Sequence, residues 1–494
     1  EARSFGETPL AQRVYTSRLL GREPSLVLHG GGNTSVKATL SDLFGDEHDV
    51  LFVKGSGWDL VSIEEGGFAP VRLDVLRRMA TLDSLSDADL VKHQRAAMLD
   101  PGAPNPSVEA ILHAIIPGRF VVHTHADAVV TISNTEDGQE RLRALFGDRV
   151  LIVPYVMPGF VLAKAIYELS EAVDWNALDG MILLHHGVFT WGDTARESYE
   201  RMIDLVSKAE AYLAEQNASA VLPAAPTSAP DLLGLARLRR AVSEARGGAV
   251  LQRLDRTEEA RAFAAQPGVA ELVGRGPLTP DHVIRTKPTA CVVGEDEARA
   301  VEAFGSAYRD YFRRNAGPAL TCLDPAPRWA VWPGQGVLTF GRSTKEADIA
   351  ADIARHTREA IVRAERLGGW RVPSEKDLFD IEYWELEQAK LRRGGEPPAL
   401  NGQIAVVTGA ASGIGRACAE ALMAQGAAIV ALDIDPAVKR WNGDYGLGLE
   451  VDLRESDAVV AAIEAGVDRF GGVDHVVVAA GVFGGSVPIA ELAD

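Results

Sequence analysis

Apolar positions in the N-terminal part of the chain fall into short runs at 49–54, 119–125 and 181–186, separated by stretches in which they recur every three or four residues. Runs of that length predict strands, and the longer period predicts amphipathic helices, so the pattern reads as an α/β layer architecture. Within 106–113 (Pro-Ser-Val-Glu-Ala-Ile-Leu-His), Ser107 is the expected N-cap of a helix whose apolar stripe is Val108, Ile111, Leu112 and Ile115. The pattern lapses at 218–230, rich in Ala, Pro, Ser and Thr, and again at 394–400, where Gly and Pro cluster. These lapses are read as linkers and divide the chain into expected domains 1–217, 231–393 and 400–494.

An internal echo crosses the first linker. His186-Gly-Val-Phe-Thr-Trp-Gly192, before an Ala- and Glu-rich helical stretch, resembles Gln335-Gly-Val-Leu-Thr-Phe-Gly341, before a long Ala-rich one. The similarity is either chance or the trace of a degenerate duplication. In the latter case Gln335 stands where the first copy has His186.

Composition narrows the class. With 47% hydrophobic and 24% charged residues in 494, the chain has the make-up of a folded, water-soluble protein. A net charge of -19 argues against nucleic-acid or anionic-membrane partners. No apolar run approaches membrane-spanning length, and no signal peptide is visible at the start, which lacks a methionine. Three scattered cysteines, Cys291, Cys322 and Cys418, suggest buried thiols in a reducing cytoplasm.

The first candidate chemistry lies at the end of the run Phe120-Val-Val-His-Thr-His125. Side chains two apart share a strand face, so His123 and His125 project together, as zinc ligation requires. Alone, such a pair is weak evidence and reads more readily as two ordinary strand-end histidines. An apolar run at 181–186 brings His185 and His186 as a third imidazole source. Glu109 suits a helix start even with no chemical role. The glycine-rich turns Gly30-Gly-Gly-Asn-Thr-Ser35 and Lys54-Gly-Ser-Gly57 present backbone N–H groups and hydroxyls suited to a phosphate.

In their order along the chain these five motifs resemble the class II aldolase/adducin family, over roughly residues 10–215. The resemblance implies Zn2+ held by His123, His125 and His186, with His185 as a packing or supporting residue. It implies substrate phosphate at Gly32, Asn33, Ser56 and Ser107, with Thr34 and Gly55 nearby, and Glu109 as the proton-transfer group at C3. The substrate class is a phosphorylated ketose cleaved between C3 and C4, with zinc as the Lewis acid for the charge that develops. Some members take an acid for the aldehyde oxygen from a tyrosine of a neighbouring subunit, which implies a homo-oligomer; Tyr155 is a candidate by proximity alone. Sugar-phosphate epimerases and dehydratases share the family, as do adducin-type binding modules without the metal histidines.

The second candidate chemistry is the strand, glycine loop and helix start of Ile404-Ala-Val-Val-Thr-Gly-Ala-Ala-Ser-Gly-Ile-Gly415, followed by a run ending in Asp433, eighteen residues after Gly415. Gly409, Gly413 and Gly415 permit the close approach of a pyrophosphate, and the acid favours NAD over NADP. The spacing resembles the short-chain dehydrogenase/reductase family, which also places Ile414, Asp452, Leu453, Ala480 and Gly481 at the cofactor. No Tyr-x-x-x-Lys follows Gly481, so a shortened form of a longer protein is expected, binding a dinucleotide without family-type hydride transfer. The expected fold is therefore α/β: a class II aldolase/adducin-like domain, an α/β middle region and the N-terminal half of a Rossmann-type domain. This arrangement, with His282-Val-Ile-Arg-Thr-Lys-Pro288, resembles the bifunctional rhamnulose-1-phosphate aldolase/alcohol dehydrogenase family. That resemblance implies cleavage of L-rhamnulose 1-phosphate to dihydroxyacetone phosphate and L-lactaldehyde, and NAD-linked turnover of the aldehyde in the intact protein.

Overall fold

Residues 120–124 are apolar or histidine at almost every position, and their alternating directions bury both faces of the sheet they enter. Val122 joins one core with Ile182 and Val188, whereas Val121 joins another with Met181, Leu183, Phe189 and Trp191. The computed structural model describes residues 2–226, 228–391 and 397–481. Parts of both expected linkers (227 and 394–396) and the stretch 482–494 of the expected third domain lie outside those residues. The chain forms two compact units, residues 1–222, 268–289 and 352–393 in one, and 223–267, 290–351 and 394–494 in the other.

The first unit holds a seven-stranded sheet. Its strands are β1 (Asn33–Ser41), β2 (Glu47–Lys54), β3 (Phe68–Arg72), β4 (Phe120–Thr124), β5 (Val150–Val153), β6 (Gly180–Leu183) and β7 (Gly187–Gly192), in the spatial order β3-β2-β1-β4-β7-β6-β5. All neighbours are antiparallel except β5 and β6. Helix Ala195–Glu215 begins where the Thr194 hydroxyl accepts the Glu197 N–H at 3.1 Å, and it packs Met202, Leu205, Val206 and Leu213 on one face of the sheet. The other face is covered by helices Ala110–Ile115 and Phe160–Ser170 through Leu112, Leu162 and Ile166.

Among the described residues the second unit holds two four-stranded sheets. The first contains β8 (Leu251–Asp255), β9 (Cys291–Val292), β10 (Trp329–Trp332) and β11 (Gly336–Gly341), ordered β8-β11-β10-β9. The second contains β12 (Ile404–Thr408), β13 (Ala428–Asp433), β14 (Gly446–Glu450) and β15 (His475–Val478), all parallel and ordered β14-β13-β12-β15. Parallel strands separated by helices, with near-continuous apolar β12 and β13, give the Rossmann-like layer expected of the glycine-loop segment. The guanidinium of Arg239, buried in helix Leu232–Arg246, donates to the carbonyls of Val250 and Gly402 at 2.6 and 3.0 Å and pairs with Asp474 at 2.5 Å. Among the described residues no helix is long and apolar enough to cross a membrane.

Three local expectations are corrected. The run at 181–186 stays a strand only to Leu183; residues 184–186 form the turn into β7, with His185 at φ 62°. Ser107 does not cap a helix, because helical geometry begins only at Ala110, leaving Glu109 at the N-cap position. Of the three thiols only Cys291 is fully buried; Cys322 and Cys418 are half-buried, and none forms a disulfide.

Candidate functional site

The end of β4 and the β6–β7 turn place three imidazoles together. His123 is the penultimate residue of β4, His125 lies just past its end, and His186 closes the turn. One ring nitrogen from each lies within 4.8 Å of the others, with His125 Nε2 3.1 Å from His123 Nε2. Glycine follows His186 because a β-carbon at Gly187 would meet the Thr124 carbonyl at 2.3 Å and the His123 ring at 2.9 Å. His123 Nδ1 donates to the Val188 carbonyl at 3.0 Å, which leaves Nε2 as the free lone pair. Its ring stacks on Phe189 at 4.1 Å and 12°.

Glu109 enters this cluster from the N-cap of helix Ala110–Ile115. Its carboxylate lies 3.7 Å from His123 Nε2 and 3.6 Å from His186 Nε2, too far for hydrogen bonds. Its Oε1 is buried without a hydrogen-bond partner. Three converging imidazoles are a donor set that a divalent cation satisfies, and the Glu109 carboxylate stands beside them as the base. Burial pushes the Glu109 carboxyl up, but the neighbouring His123 and His186 and the Asn33 amide outweigh it and hold the group below the usual carboxylate range. Burial also lowers His123 to about 4 and His125 to about 3, so both rings are neutral near pH 7, the form that binds metal.

The glycine-rich turns meet the same place. Gly32, at φ 59°, packs where a β-carbon would be 2.7 Å from the His123 carbonyl. The Asn33 amide donates to Glu109 at 2.5 Å and to the Ser107 hydroxyl at 3.2 Å. Ser56 N–H bonds the Asn105 carbonyl at 2.8 Å and Ser107 N–H the Lys54 carbonyl at 3.1 Å, lacing the two loops together. Of the expected supporting residues, His185 turns away from the cluster; its Nδ1 bonds the Asn134 side chain at 2.7 Å. Tyr155 packs beside it, ring centroids 6.5 Å apart, and its buried hydroxyl has no hydrogen-bond partner. Burial, with Asp377 and Asp281 in its surroundings, pushes that hydroxyl's pKa upward.

Two participants were missed by the sequence reading. His113 bonds the Asn33 side-chain oxygen Oδ1 through Nε2 and the Ser35 hydroxyl at 2.8 Å through Nδ1, which fixes the amide so that its NH2 faces Glu109. The signal was available, since 109 and 113 are one helical turn apart. Asp281 sits 3.5 Å from His125 Nδ1 and reaches the site from a segment 156 residues further along the chain. No local pattern announces that contact.

In the second unit the loop after β12 has the expected form. Gly409 and Gly413 take φ of 65° and 52°, and a β-carbon at Gly415 would sit 2.3 Å from the Gly409 carbonyl. A β-carbon at Gly413 would meet nothing within 4 Å, so the loop keeps an open approach at the start of helix Gly413–Ala424. Ile414 beside it is 77% exposed, an apolar side chain at the mouth of the loop. Asp433, ending β13, accepts the Ala411 N–H at 2.9 Å and the Asp435 N–H at 3.0 Å. Thr408 accepts the N–H groups of Ala479 and Ala480, both at 3.1 Å, which brings Ala480 and Gly481 to the same end of the sheet. Leu453 packs partly buried on the sheet's core, while Asp452 is wrapped by the Arg454 side chain. These residues fit a dinucleotide pyrophosphate at the loop, with the acid of β13 to one side.

Comparisons with known proteins agree with this layout. Residues 11–213 match the family model "Class II Aldolase and Adducin N-terminal domain", 229–391 match "Aldolase class II, second domain", and 403–494 match "short chain dehydrogenase". The chain is 31% identical to the uncharacterized oxidoreductase YuxG of Bacillus subtilis (strain 168) over 95% of its own length and 72% of that protein's. Its C-terminal part is 36% identical to 3beta-hydroxysteroid dehydrogenase 2 of Eggerthella lenta over 20% of this chain, spanning 40% of that relative. Among solved structures, the N-terminal class II aldolase domain of a conserved Thermoplasma acidophilum protein is 41% identical. That likeness covers 42% of this chain and 94% of that one, with a TM-score of 0.39.

Proposed function

Because this chain belongs to the family that joins class II aldolase/adducin domains to a short-chain dehydrogenase domain, both of them enzyme families, we propose that its three-histidine site cleaves a ketose 1-phosphate with a bound zinc ion. The observation that carries the reading is the convergence of ring nitrogens of His123, His125 and His186 on one point, with the Glu109 carboxylate beside His123 and His186. A zinc ion held by those imidazoles would supply Lewis-acid stabilisation of the negative charge that develops as the C3–C4 bond breaks. Glu109, ionised and aimed at the cluster, exchanges the proton at C3. Gly32, Asn33, Ser56 and Ser107 hold the phosphate and fix the sugar in register, and Asn33 also orients Glu109. Tyr155 is the candidate acid for the aldehyde oxygen.

The substrate proposed is L-rhamnulose 1-phosphate, giving dihydroxyacetone phosphate and L-lactaldehyde. In the whole protein, NAD would lie over Gly409, Gly413, Ile414 and Gly415, its ribose at Asp433 and its adenine near Asp452 and Leu453, with Ala480 and Gly481 beside it. Free cysteines support a cytoplasmic setting, and the reading includes a homo-oligomer. The test is elemental analysis together with a panel of ketose 1-phosphates in a coupled assay for dihydroxyacetone phosphate. One zinc per chain and fastest release from L-rhamnulose 1-phosphate are expected. Zinc-loaded protein that cleaves none of the panel would overturn the reading.

A further inference from the structure

Asp281, which contacts His125, lies outside residues 11–213 of the first family match. His125 turns Nε2 toward His123, at 3.1 Å, so its Nδ1 points to the opposite side. There the Asp281 carboxylate stands 3.5 Å from Nδ1. Asp281 belongs to the short turn Pro280–His282, within residues 268–289, which fold into the first unit. In sequence these residues belong to the segment matched as the second aldolase domain, 229–391. The Asp281 carboxylate is largely buried, with His125, His282 and the Thr279 hydroxyl as its polar surroundings. A carboxylate in that position is costly unless it acts on a neighbouring donor, and the distal N–H of His125 is such a donor. His123 likewise has an acceptor behind its Nδ1, the Val188 carbonyl, there at a hydrogen-bonding 3.0 Å where Asp281 stands at the longer 3.5 Å. Backbone serves one imidazole and a side chain from far along the chain serves the other.

We propose that Asp281 is a positioning residue for the metal centre, holding His125 in the tautomer with hydrogen on Nδ1 so that Nε2 is presented to the ion. The second aldolase segment thereby completes the site of the first. A carboxylate behind a ligating imidazole fixes its rotation and raises its basicity, and losing such a partner typically weakens metal binding about 10–100-fold. The inference rests on the three-histidine reading above.

The experiment uses the full chain, stripped of metal and titrated with zinc and cobalt(II) against a competing chelator. Asp281→Asn should weaken both metals about 10–100-fold and shift the visible spectrum of the cobalt form, and Asp281→Glu should recover part of the affinity. Histidine 15N shifts of the metal-free wild type, which need no variant, should show His125 protonated on Nδ1. Wild-type affinity with an unchanged cobalt spectrum in Asp281→Asn, or a His125 proton on Nε2, overturns the role of Asp281 while leaving the histidine site standing. If the wild type binds neither metal, or His186→Ala binds both as well as the wild type, the three-histidine reading falls and this inference with it.

Discussion

The strands β4, β7, β6 and β5 of the first unit and β8, β11, β10 and β9 of the second are two versions of one device. Both sheets run in the same order with the same directions, and the pairing registers coincide: Phe120 opposes Gly192 as Leu251 opposes Gly341. In each, the second strand of the hairpin, β7 or β11, is followed by a long helix, Ala195–Glu215 or Thr344–Arg366, tied back in the same way. Glu197 accepts the Asp193 N–H at 2.9 Å, and Glu346 accepts the Arg342 N–H at 2.5 Å. Through this register His123 corresponds to Leu254, His125 to Arg256 and His186 to Gln335. The second version has turned those positions to structural use. Gln335 bonds the backbone of Ala229 and Asp231, each at 3.1 Å, and Arg256 pairs with Asp468. The scaffold does not need the histidines, so their presence in the first version points to chemistry there.

The largest expected effect comes from erasing that difference. His186→Gln, which copies the second version, should abolish metal binding and retro-aldol activity while leaving the far-ultraviolet circular dichroism unchanged, because an open three-ligand site has no spare ligand. Glu109→Gln should keep the metal and lower the cleavage rate at least about a hundredfold, the scale of general acid–base catalysis. Retained activity in His186→Gln would mean that the contrast between His186 and Gln335 has no chemical weight.

How much of this was legible follows from sequence distance. β4, the glycine turns, the histidines and the glycine loop after β12 are local patterns, and each lies at or close to its expected place in the fold. The short echo 186–192 and 335–341 pointed to the shared hairpin, but not to the matching strands on either side of it. β8 (Leu-Gln-Arg-Leu-Asp) and β4 (Phe-Val-Val-His-Thr) share no residue pattern, so only pairing register reveals their equivalence. Ser107 was expected to cap a helix because its residue type is right; the backbone there instead bonds across to Lys54 and starts its helix three residues later. Asp281 was invisible because nothing in a sequence encodes a contact across 156 positions except the completed fold.

Packing comes next in size. Phe189 and Leu338 occupy the same register position, opposite His123 and Leu254, and both are fully buried. Phe189→Ala should cost about 3–5 kcal/mol and Leu338→Ala about 2–5 kcal/mol in chemical denaturation. Only the former should also loosen metal binding, since Phe189 is the stacking surface for His123. Equal effects on metal affinity would break the contrast.

Acid should separate the two versions further. Burial holds His113 at about 3 in the folded state, whereas an unfolded histidine titrates near 6.5. Between those values the unfolded chain takes up a proton that the folded chain refuses. The stability tied to His113 is thus complete above about pH 6.5 and falls by about 1.4 kcal/mol per pH unit as the pH drops toward 3. Helix Leu232–Arg246, which precedes β8 as Ala110–Ile115 precedes β4, contains no histidine. Hydrogen exchange in metal-free protein should therefore show β4 and β7 losing protection between pH 6.5 and 5.5 more steeply than β8 and β11. Because burial depresses His123 in β4 and His125 just past its end as well, a His113→Asn variant should reduce that slope in part, and parallel slopes in the wild type would count against the assignment.

The smallest effect tests the sameness of the two versions. Thr190 donates its hydroxyl to the Ser198 carbonyl at 2.8 Å, and Thr339 donates to the Ala347 carbonyl at 2.9 Å. Each bond runs from the middle of the hairpin's second strand to the first turn of the helix that follows, fixing the angle at which the helix leaves the sheet. Thr→Val keeps the β-branched shape and removes only the hydroxyl, so no cavity term enters. Each accepting carbonyl lies within a helix and has a second lone pair for the helical N–H four residues on, so it is not left bare. The cost should sit near the net worth of one intramolecular hydrogen bond, about 1 kcal/mol, in Thr190→Val and Thr339→Val alike. The two sites lie in different sheets and share no partner, so the double variant should be additive within about 0.5 kcal/mol. A cost confined to one of the two positions would show that the matched geometry is not matched energetics, and that the second version has settled its helix by other contacts.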